Sequence, residues 1–419
     1  MHNTTPSCVR RVGLALILIA CVGIAAGGSY GCGDSNSQTP ATTSPRASEI
    51  PSRSPSETRE PDPVTAVPAE HPAAVDAEAL GRDSLLVYST PRADGGIDVY
   101  AYSRDSKVIV GAFGLPVDVR TGTPKLRGRT LVMPTDHSVV ILDLQGNLIE
   151  AVATLAPAES VVGLALSSDG TMLAIGILSQ AIAQSRLVVV DLSSKRETLR
   201  ISHGEFAAFT SVGAPAPTSW FAGDSGVELR AEVGQGATAI PGVSAYLTGR
   251  LIAREGGPRQ ISEDGESALS RSGGTVGACD GPSLASRAVR VEDARDDTLI
   301  VELSQPNAVV GASFIAPHGR AVVYSTSPLR GDCWDNLAGE TWYLWDGNTN
   351  SPVNDPEATL RSWHQANLVE LDCNGARSAW PFVRNKADLR CPDDGVGELW
   401  LDGARVDRVT VAGIVGFAE

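Results

Sequence analysis

The residues able to do chemistry are few, and their spacing argues against most of it. Gly223-Asp224-Ser225-Gly226 is the kind of tetrapeptide that presents a nucleophilic serine. It has no matching histidine segment for a base, and it falls between Trp220-Phe221 and Val227-Glu228-Leu229, where a hairpin turn is expected. His137, His203, His318 and His364 are scattered, with none at i,i+4 and no His-Glu-x-x-His. Gly234-Gln235-Gly236-Ala237-Thr238-Ala239 approximates a dinucleotide fingerprint, but Pro241-Gly242 follows where a helix must start, so no helix dipole faces a pyrophosphate. The run Glu292-Asp293-Ala294-Arg295-Asp296-Asp297 reads as a solvated strand end and turn. The residues imply no cofactor, no metal and no local catalytic set. An enzyme whose residues converge on one channel from several units is the alternative, since such a site leaves no local motif.

Composition places the scaffold. The chain has 419 residues, 42% of them hydrophobic, with 43 Gly and 26 Pro, which is globular and turn-rich. Lys and Arg number 34 against 49 Asp and Glu, a net −15 that argues against nucleic acid as a partner. Arg10 and Arg11 precede an uncharged apolar stretch from Val12 to Ala26, which at about 15 residues is too short to span a bilayer. Cys32 follows Ser29-Tyr30-Gly31 and leads into a polar tether, and Cys21 follows Leu18-Ile19-Ala20. Both resemble a bacterial lipoprotein signal, in which small residues precede a lipidated Cys. Cys32 is the favoured anchor and Cys21 the alternative, with residues 1–31 as signal peptide. Residues 32–78, punctuated by Pro40, Pro45, Pro51, Pro55, Pro61, Pro63, Pro68 and Pro72, read as a disordered linker unable to bury enough apolar surface to fold.

From residue 79 strand-like segments alternate with turns, and no long helical period appears. Val161 to Gly170 leads into Met172-Leu173-Ala174-Ile175, Val309 to Gly319 leads into Ala321-Val322-Val323-Tyr324, and Ile261 to Gly265 is a weaker copy. A third strand type ends in a polar turn at Asp143, Asp191, Asp346 and Asp402. Second strands centred near Val87, Val132, Leu173, Trp220, Ala268, Val322 and Ala379 divide 79–419 into seven units of about 49 residues. The turns Ser167-Ser168-Asp169-Gly170 and Ala316-Pro317-His318-Gly319 resemble the TolB-like and WD40-like β-propeller repeat. That resemblance implies an all-β, seven-bladed β-propeller at 79–419, with His318 standing where the repeat turn has Asp. The tail Val411 to Phe417 looks like a first strand with no second, and the first unit lacks one, so the tail is expected to pair into the first unit and close the ring.

The folded part keeps Cys279, Cys333, Cys373 and Cys391. An even number in an exported domain suggests two disulfides. Of the three possible pairings, Cys279–Cys333 with Cys373–Cys391 is favoured, mainly because the first two sit in equivalent loops of adjacent units. Loops of units five to seven are long and carry acid beside cysteine: Asp280, Asp332 with Trp334 and Asp335, and Asp393 with Asp394. Those residues are the candidate binding loops, while Trp342, Trp345, Trp380 and Trp400 read as packing between units. The expected function is a non-enzymatic binding module, lipid-anchored on the outer side of a bacterial envelope membrane, for a protein, peptide or envelope glycan.

Overall fold

A computed structural model of the chain describes residues 66–70, 73–115, 124–135, 138–179, 184–207, 214–232, 242–254, 259–279, 284–334, 339–363, 368–380, 388–391 and 395–418. All of them fall within Arg59–Glu419; Met1–Thr58, with Cys21 and Cys32, lies outside the described residues. The architecture is all-β. Runs such as Leu85-Leu86-Val87-Tyr88 and Val139-Val140-Ile141-Leu142 form the strands, because β-branched and aromatic side chains fit a pleated surface packed on both sides. Among the described residues no helix is long and apolar enough to cross a membrane.

A short helix, α1 (Ala77–Arg82), leads into β1 (Leu85–Pro91), β2 (Ile97–Ser103) and β3 (Val108–Leu115). A second group holds β4 (Lys125–Arg127), β5 (Thr130–Pro134), β6 (Ser138–Asp143) and β7 (Leu148–Thr154). The third holds β8 (Glu159–Leu166), β9 (Met172–Ser179), β10 (Gln184–Asp191) and β11 (Arg196–Ile201), then α2 (His203–Ala207). The fourth holds β12 (Ala214–Trp220), β13 (Gly226–Glu232), β14 (Gly242–Tyr246) and β15 (Leu251–Arg254). Next come β16 (Gln260–Ile261), β17 (Ser267–Gly277), β18 (Leu284–Asp293) and β19 (Leu299–Ser304). They are followed by β20 (Ala308–Ile315), β21 (Val322–Arg330), β22 (Cys333–Trp334), β23 (Thr341–Trp345) and β24 (Asn350–Val353). After α3 (Pro356–Trp363) the chain forms β25 (Val369–Cys373), β26 (Ala376–Trp380), β27 (Asp388–Arg390), β28 (Gly397–Leu401), β29 (Ala404–Val409) and β30 (Val411–Ala418).

Hydrogen bonds gather these strands into six sheets, where the repeat spacing predicts seven units. The fifth and sixth groups share one nine-stranded sheet because β18 and β20 meet at Ser286↔Val310. The last group also departs from a simple meander. Its order is β26-β25-β28-β29, so β26, which contains Ala379, is an edge strand rather than the second strand of its unit. The hairpin at Cys373-Asn374-Gly375-Ala376 folds β26 away from β28, and β27 leaves this sheet to pair with β30. The tail strand pairs antiparallel with β1, from Leu85↔Ala418 to Ser89↔Gly413, on the opposite side from β27.

Alternate side chains of each strand serve different cores. In β1, Leu85 and Val87 pack with Leu131, Met133 and Leu142 of the second sheet, while Leu86 and Tyr88 pack with Val369, Leu371 and Leu399 of the last. Val132 and Ile141 meet Leu173 and Ile175 of the third sheet, whose Leu187 and Val189 meet Leu229 and Val243 of the fourth. Phe221 and Tyr246 meet Ala268 and Ala294, and Leu269 and Val289 meet Val322, Tyr324 and Trp345. Burial of each of the larger apolar side chains stabilises by about 1.5–3 kcal/mol. Close approach needs glycine at one junction: a Cβ on Gly176 would sit 1.9 Å from the Pro215 carbonyl oxygen of β12.

Ordered chain reaches back into the segment read as linker. Val67 exchanges both backbone hydrogen bonds with Gly114 of β3, at 2.9 and 2.7 Å. The Asp98 carboxylate holds this stretch, accepting from the Glu70 N–H at 2.9 Å and from Arg92 at 2.7 Å. Asp76 caps α1 by accepting from the Glu78 and Ala79 amides.

Candidate functional site

The loops expected to bind are built on two disulfides. β21 turns at Gly331-Asp332, with Gly331 at φ +63°, and returns as β22, pairing Leu329↔Trp334 and Arg330↔Cys333. Cys333 is bonded to Cys279 at the end of β17, with Cα atoms 5.0 Å apart. The Cys279 N–H donates to the Trp334 carbonyl at 3.0 Å, and Ala278 bridges Trp334 in parallel. The staple therefore ties equivalent ends of the fifth and sixth strand groups. Trp334 is half-buried against Val276, Ala285, Val309 and Leu329, so its ring anchors the hairpin. Its buried Nε1–H has no partner. Asp332 stands exposed at the tip, and Asp280 and Asp335 lie outside the described residues.

The second disulfide has a different place. Cys373 at the end of β25 is bonded to Cys391, just after β27, with Cα atoms 5.5 Å apart. Cys391 is 3% exposed and packs in the core shared by the last and first sheets. It fastens β25 to the strand that pairs with β30, so it clamps a sheet junction rather than presenting a loop. Asp393 and Asp394 beside it lie outside the described residues. The tryptophans behave mainly as packing: Trp345 is buried, Trp342 stacks on Phe314 with centroids 6.4 Å apart, and Trp220 donates from Nε1 to the Ala165 carbonyl at 2.9 Å. Trp400 is half-buried with an unpartnered Nε1–H, and of Trp380 only the backbone is described.

The repeat turns are structural. Ser167 donates to Asp169 at 2.7 Å and accepts from the Met172 amide at 2.8 Å, and Ser262 and Asp264 repeat the pattern at 2.6 Å. His318 takes the Asp role by accepting the Arg320 amide on Nδ1 at 3.2 Å. Neighbouring turns are joined, Ala222 N–H to the Gly265 carbonyl at 2.8 Å and Asp264 N–H to the Pro317 carbonyl at 3.2 Å. Gly265 is at φ +71°, and a Cβ there would lie 2.6 Å from the Ala222 nitrogen. Ser225 of the Gly-Asp-Ser-Gly tetrapeptide donates to the Ala222 carbonyl at 3.2 Å, inside a turn.

Asp224 of that tetrapeptide meets Asp169 across the third and fourth sheets. Burial, and then the Asp169 charge, push the Asp224 carboxyl up, while the Ser167 hydroxyl foremost holds Asp169 down. The signs of their contributions to stability are therefore opposite. The Asp224 contribution is complete below the ordinary carboxylate range and is lost as pH rises through its raised value; the Asp169 contribution is complete above that range and is lost as pH falls. Asp224→Asn should raise the melting temperature at pH 7 by about 1–2 °C, a gain that disappears in acid, while Asp169→Asn should lower it. Thermal melts at pH 7 and pH 4 check this, and a destabilised D224N at pH 7 would contradict it.

One polar cluster gave no signal in the sequence. Arg259 and Glu228 are fully buried, Nε to Oε2 at 3.2 Å, and Glu228 also accepts the Arg259 amide at 3.0 Å and the Ser244 hydroxyl at 2.6 Å. The Arg259 Nη1 reaches Asp297 at 2.9 Å, and the guanidinium lies 4.9 Å above the Phe221 ring. The acidic run at 292–297 is thus only partly solvated. Asp293 and Asp296 shape a turn, but Glu292 and Asp297 face the buried arginine between the fourth and fifth strand groups. Among the described residues no group of three or more His, Cys, Asp or Glu is gathered to hold a metal ion.

No protein-family model matches the chain, and no curated relative does. Solved structures overlap it loosely. The β-propeller domain of the Trilobed protease from Pyrococcus furiosus is 11% identical, covering 81% of this chain and 94% of that one, with a TM-score of 0.42. TolB from Acinetobacter baumannii is 12% identical over 65% of this chain and 64% of its own, with a TM-score of 0.34. Hydrazine synthase from Kuenenia stuttgartiensis is 14% identical over 54% of this chain, with a TM-score of 0.31; the chain spans 63% of that protein's length. Overlaps of this kind fix neither a blade count nor an activity.

Proposed function

We propose that the chain is a seven-bladed β-propeller, sealed by β30, that works as a membrane-tethered extracytoplasmic binding module for a protein, peptide or envelope glycan. Seven groups of four or five strands support the blade count once the nine-stranded sheet is divided at its single β18–β20 bridge. The signal-like segment with Cys32, or else Cys21, and the Pro-rich stretch after it support the tether. Two disulfides suit an oxidising compartment.

The observation that carries the binding reading is the stapled hairpin. A covalent bond and a strand bridge fix the hairpin that carries an exposed acidic tip, Asp332, two residues from Trp334. Such preorganisation lowers the ordering cost of binding. The test immobilises the full chain and captures from envelope extract, in parallel with Asp332→Ala and with Cys279→Ser/Cys333→Ser. A partner retained by the wild type and lost about tenfold or more from both variants is expected. Equal retention by all three would remove the hairpin from the site, and hydrolytic turnover with no capture would favour an enzyme.

A further inference from the structure

Several arginines in the interior of this protein face acids: Arg92 lies 2.7 Å from Asp98, Arg259 lies 3.2 Å from Glu228, and Arg186 and Arg361 bond Glu159 and Glu370. Lys125 and Arg127 do not. Both are half-buried, and neither cationic side chain bonds a side chain or carbonyl among the described residues. Two residues apart on β4, they share one face of the strand. Leu126, between them, points the other way, into the core with the first sheet. Val132, paired with Lys125, belongs to the core with the third sheet, and the Arg127 stem lies 3.2 Å from where a Cβ on Gly170 of that sheet would be. Both cations therefore point into the space between the second and third sheets. They do so from β4, the terminal strand of its sheet, which packs against β30 and β8.

The acids nearby are already engaged. Glu159 on β8 is held by both Arg186 nitrogens, and Asp169, next to Gly170, accepts from Ser167 and Thr171. Burial pushes the Lys125 ammonium below the ordinary lysine range. Two cations set together without an acid among the described residues, in a chain of net charge −15, are costly unless something else completes them.

We propose that Lys125 and Arg127 form a binding site for an oxyanion, the carboxylate or phosphate group of a ligand. Their side chains start about 7 Å apart along the strand, a span that lets one oxyanion touch both. Arg127 supplies the planar fork that binds such a group bidentately, and Lys125 supplies a compact charge. The site is separate from the stapled hairpin and does not depend on it.

The chain has only four lysines, Lys107, Lys125, Lys195 and Lys386, which makes the test clean. Reductive ¹³C-methylation of the full chain gives one NMR signal per lysine beside that of the N-terminal amine. Titration with inorganic phosphate, and separately with acetate, is run at constant ionic strength in chloride. The Lys125 signal should move saturably while those of Lys107 and Lys195 stay put, and Arg127→Gln should weaken the response about tenfold or more. A response to phosphate alone assigns a phosphorylated ligand, one to acetate alone a carboxylate, and one to both an oxyanion of either source. Acetic anhydride labelling of unmodified protein gives an independent reading, since phosphate or acetate should slow acetylation at Lys125 only. A Lys125 signal that moves no more than Lys107, an R127Q variant that titrates like wild type, or unprotected labelling would overturn the proposal.

Discussion

Deleting residues 411–419 is expected to leave a chain without a cooperative thermal transition. β30 is paired on both sides, with β1 and with β27, and Ala412, Ile414 and Ala418 are almost wholly buried. Its side chains wall two cores at once. Ala418 packs among Leu85, Val87 and Leu131, while Ala412 and Ile414 pack among Leu86, Tyr88 and Leu371. Loss of that apolar burial, at about 1.5–3 kcal/mol for each larger side chain, compounds the loss of two hydrogen-bonded ladders. The total is comparable with the roughly 5–15 kcal/mol that holds a whole domain folded. Near-ultraviolet circular dichroism against temperature reads the outcome. A truncated chain that melts at the full-length temperature would show that the strand is ornamental, and Ile414→Asp gives a milder version of the same test.

Glu228→Ala should cost about 3–5 kcal/mol, because it leaves the Arg259 guanidinium in a fully buried site with Asp297, the more distant Glu292 and a long bond to the Ala294 carbonyl to answer it. The loss would appear as a lower urea midpoint with an unchanged slope. Arg259→Ala should be about as damaging, since Glu228 would keep only the Ser244 hydroxyl and one amide. The paired replacement Glu228→Leu/Arg259→Met should recover much of the stability, because it removes both buried charges and keeps volume beside Phe221 and Tyr246. A double variant as unstable as the sum of the singles would mean that the cluster holds the fourth and fifth groups in register by its geometry.

The parts of the fold legible in the sequence were those written in local pattern. The Ser-x-Asp-Gly turns were recognisable because each uses its own serine and aspartate to satisfy nearby amides, and His318 could be placed there since an imidazole nitrogen accepts as a carboxylate does. The tail strand was legible because a lone first strand at one end answers a missing one at the other. What escaped was set by partners far apart in the chain. Nothing near Arg259 announces that Glu228 and Asp297 will surround it, so the acidic run read as solvated. The order of the last sheet was hidden because the hairpin at Asn374-Gly375 allows β26 on either side of β25, and only the crossing of β27 to β30 fixes which. For the candidate loops the outcome was divided. The hairpin carrying Asp332 and Trp334 was stapled to Cys279, whereas Cys391 was drawn into a core.

The pairing of Leu85 with Ala418 also imposes an order of events. β1 is made more than three hundred residues before β30, so until β30 is available the earlier strand shows a bare edge to its surroundings. Contacts spanning almost the full chain form slowly, and until they form such an edge invites other strands. A variant cut before Val411 should therefore cling to holdase chaperones, and restoring the strand Val411–Ala418 should release it.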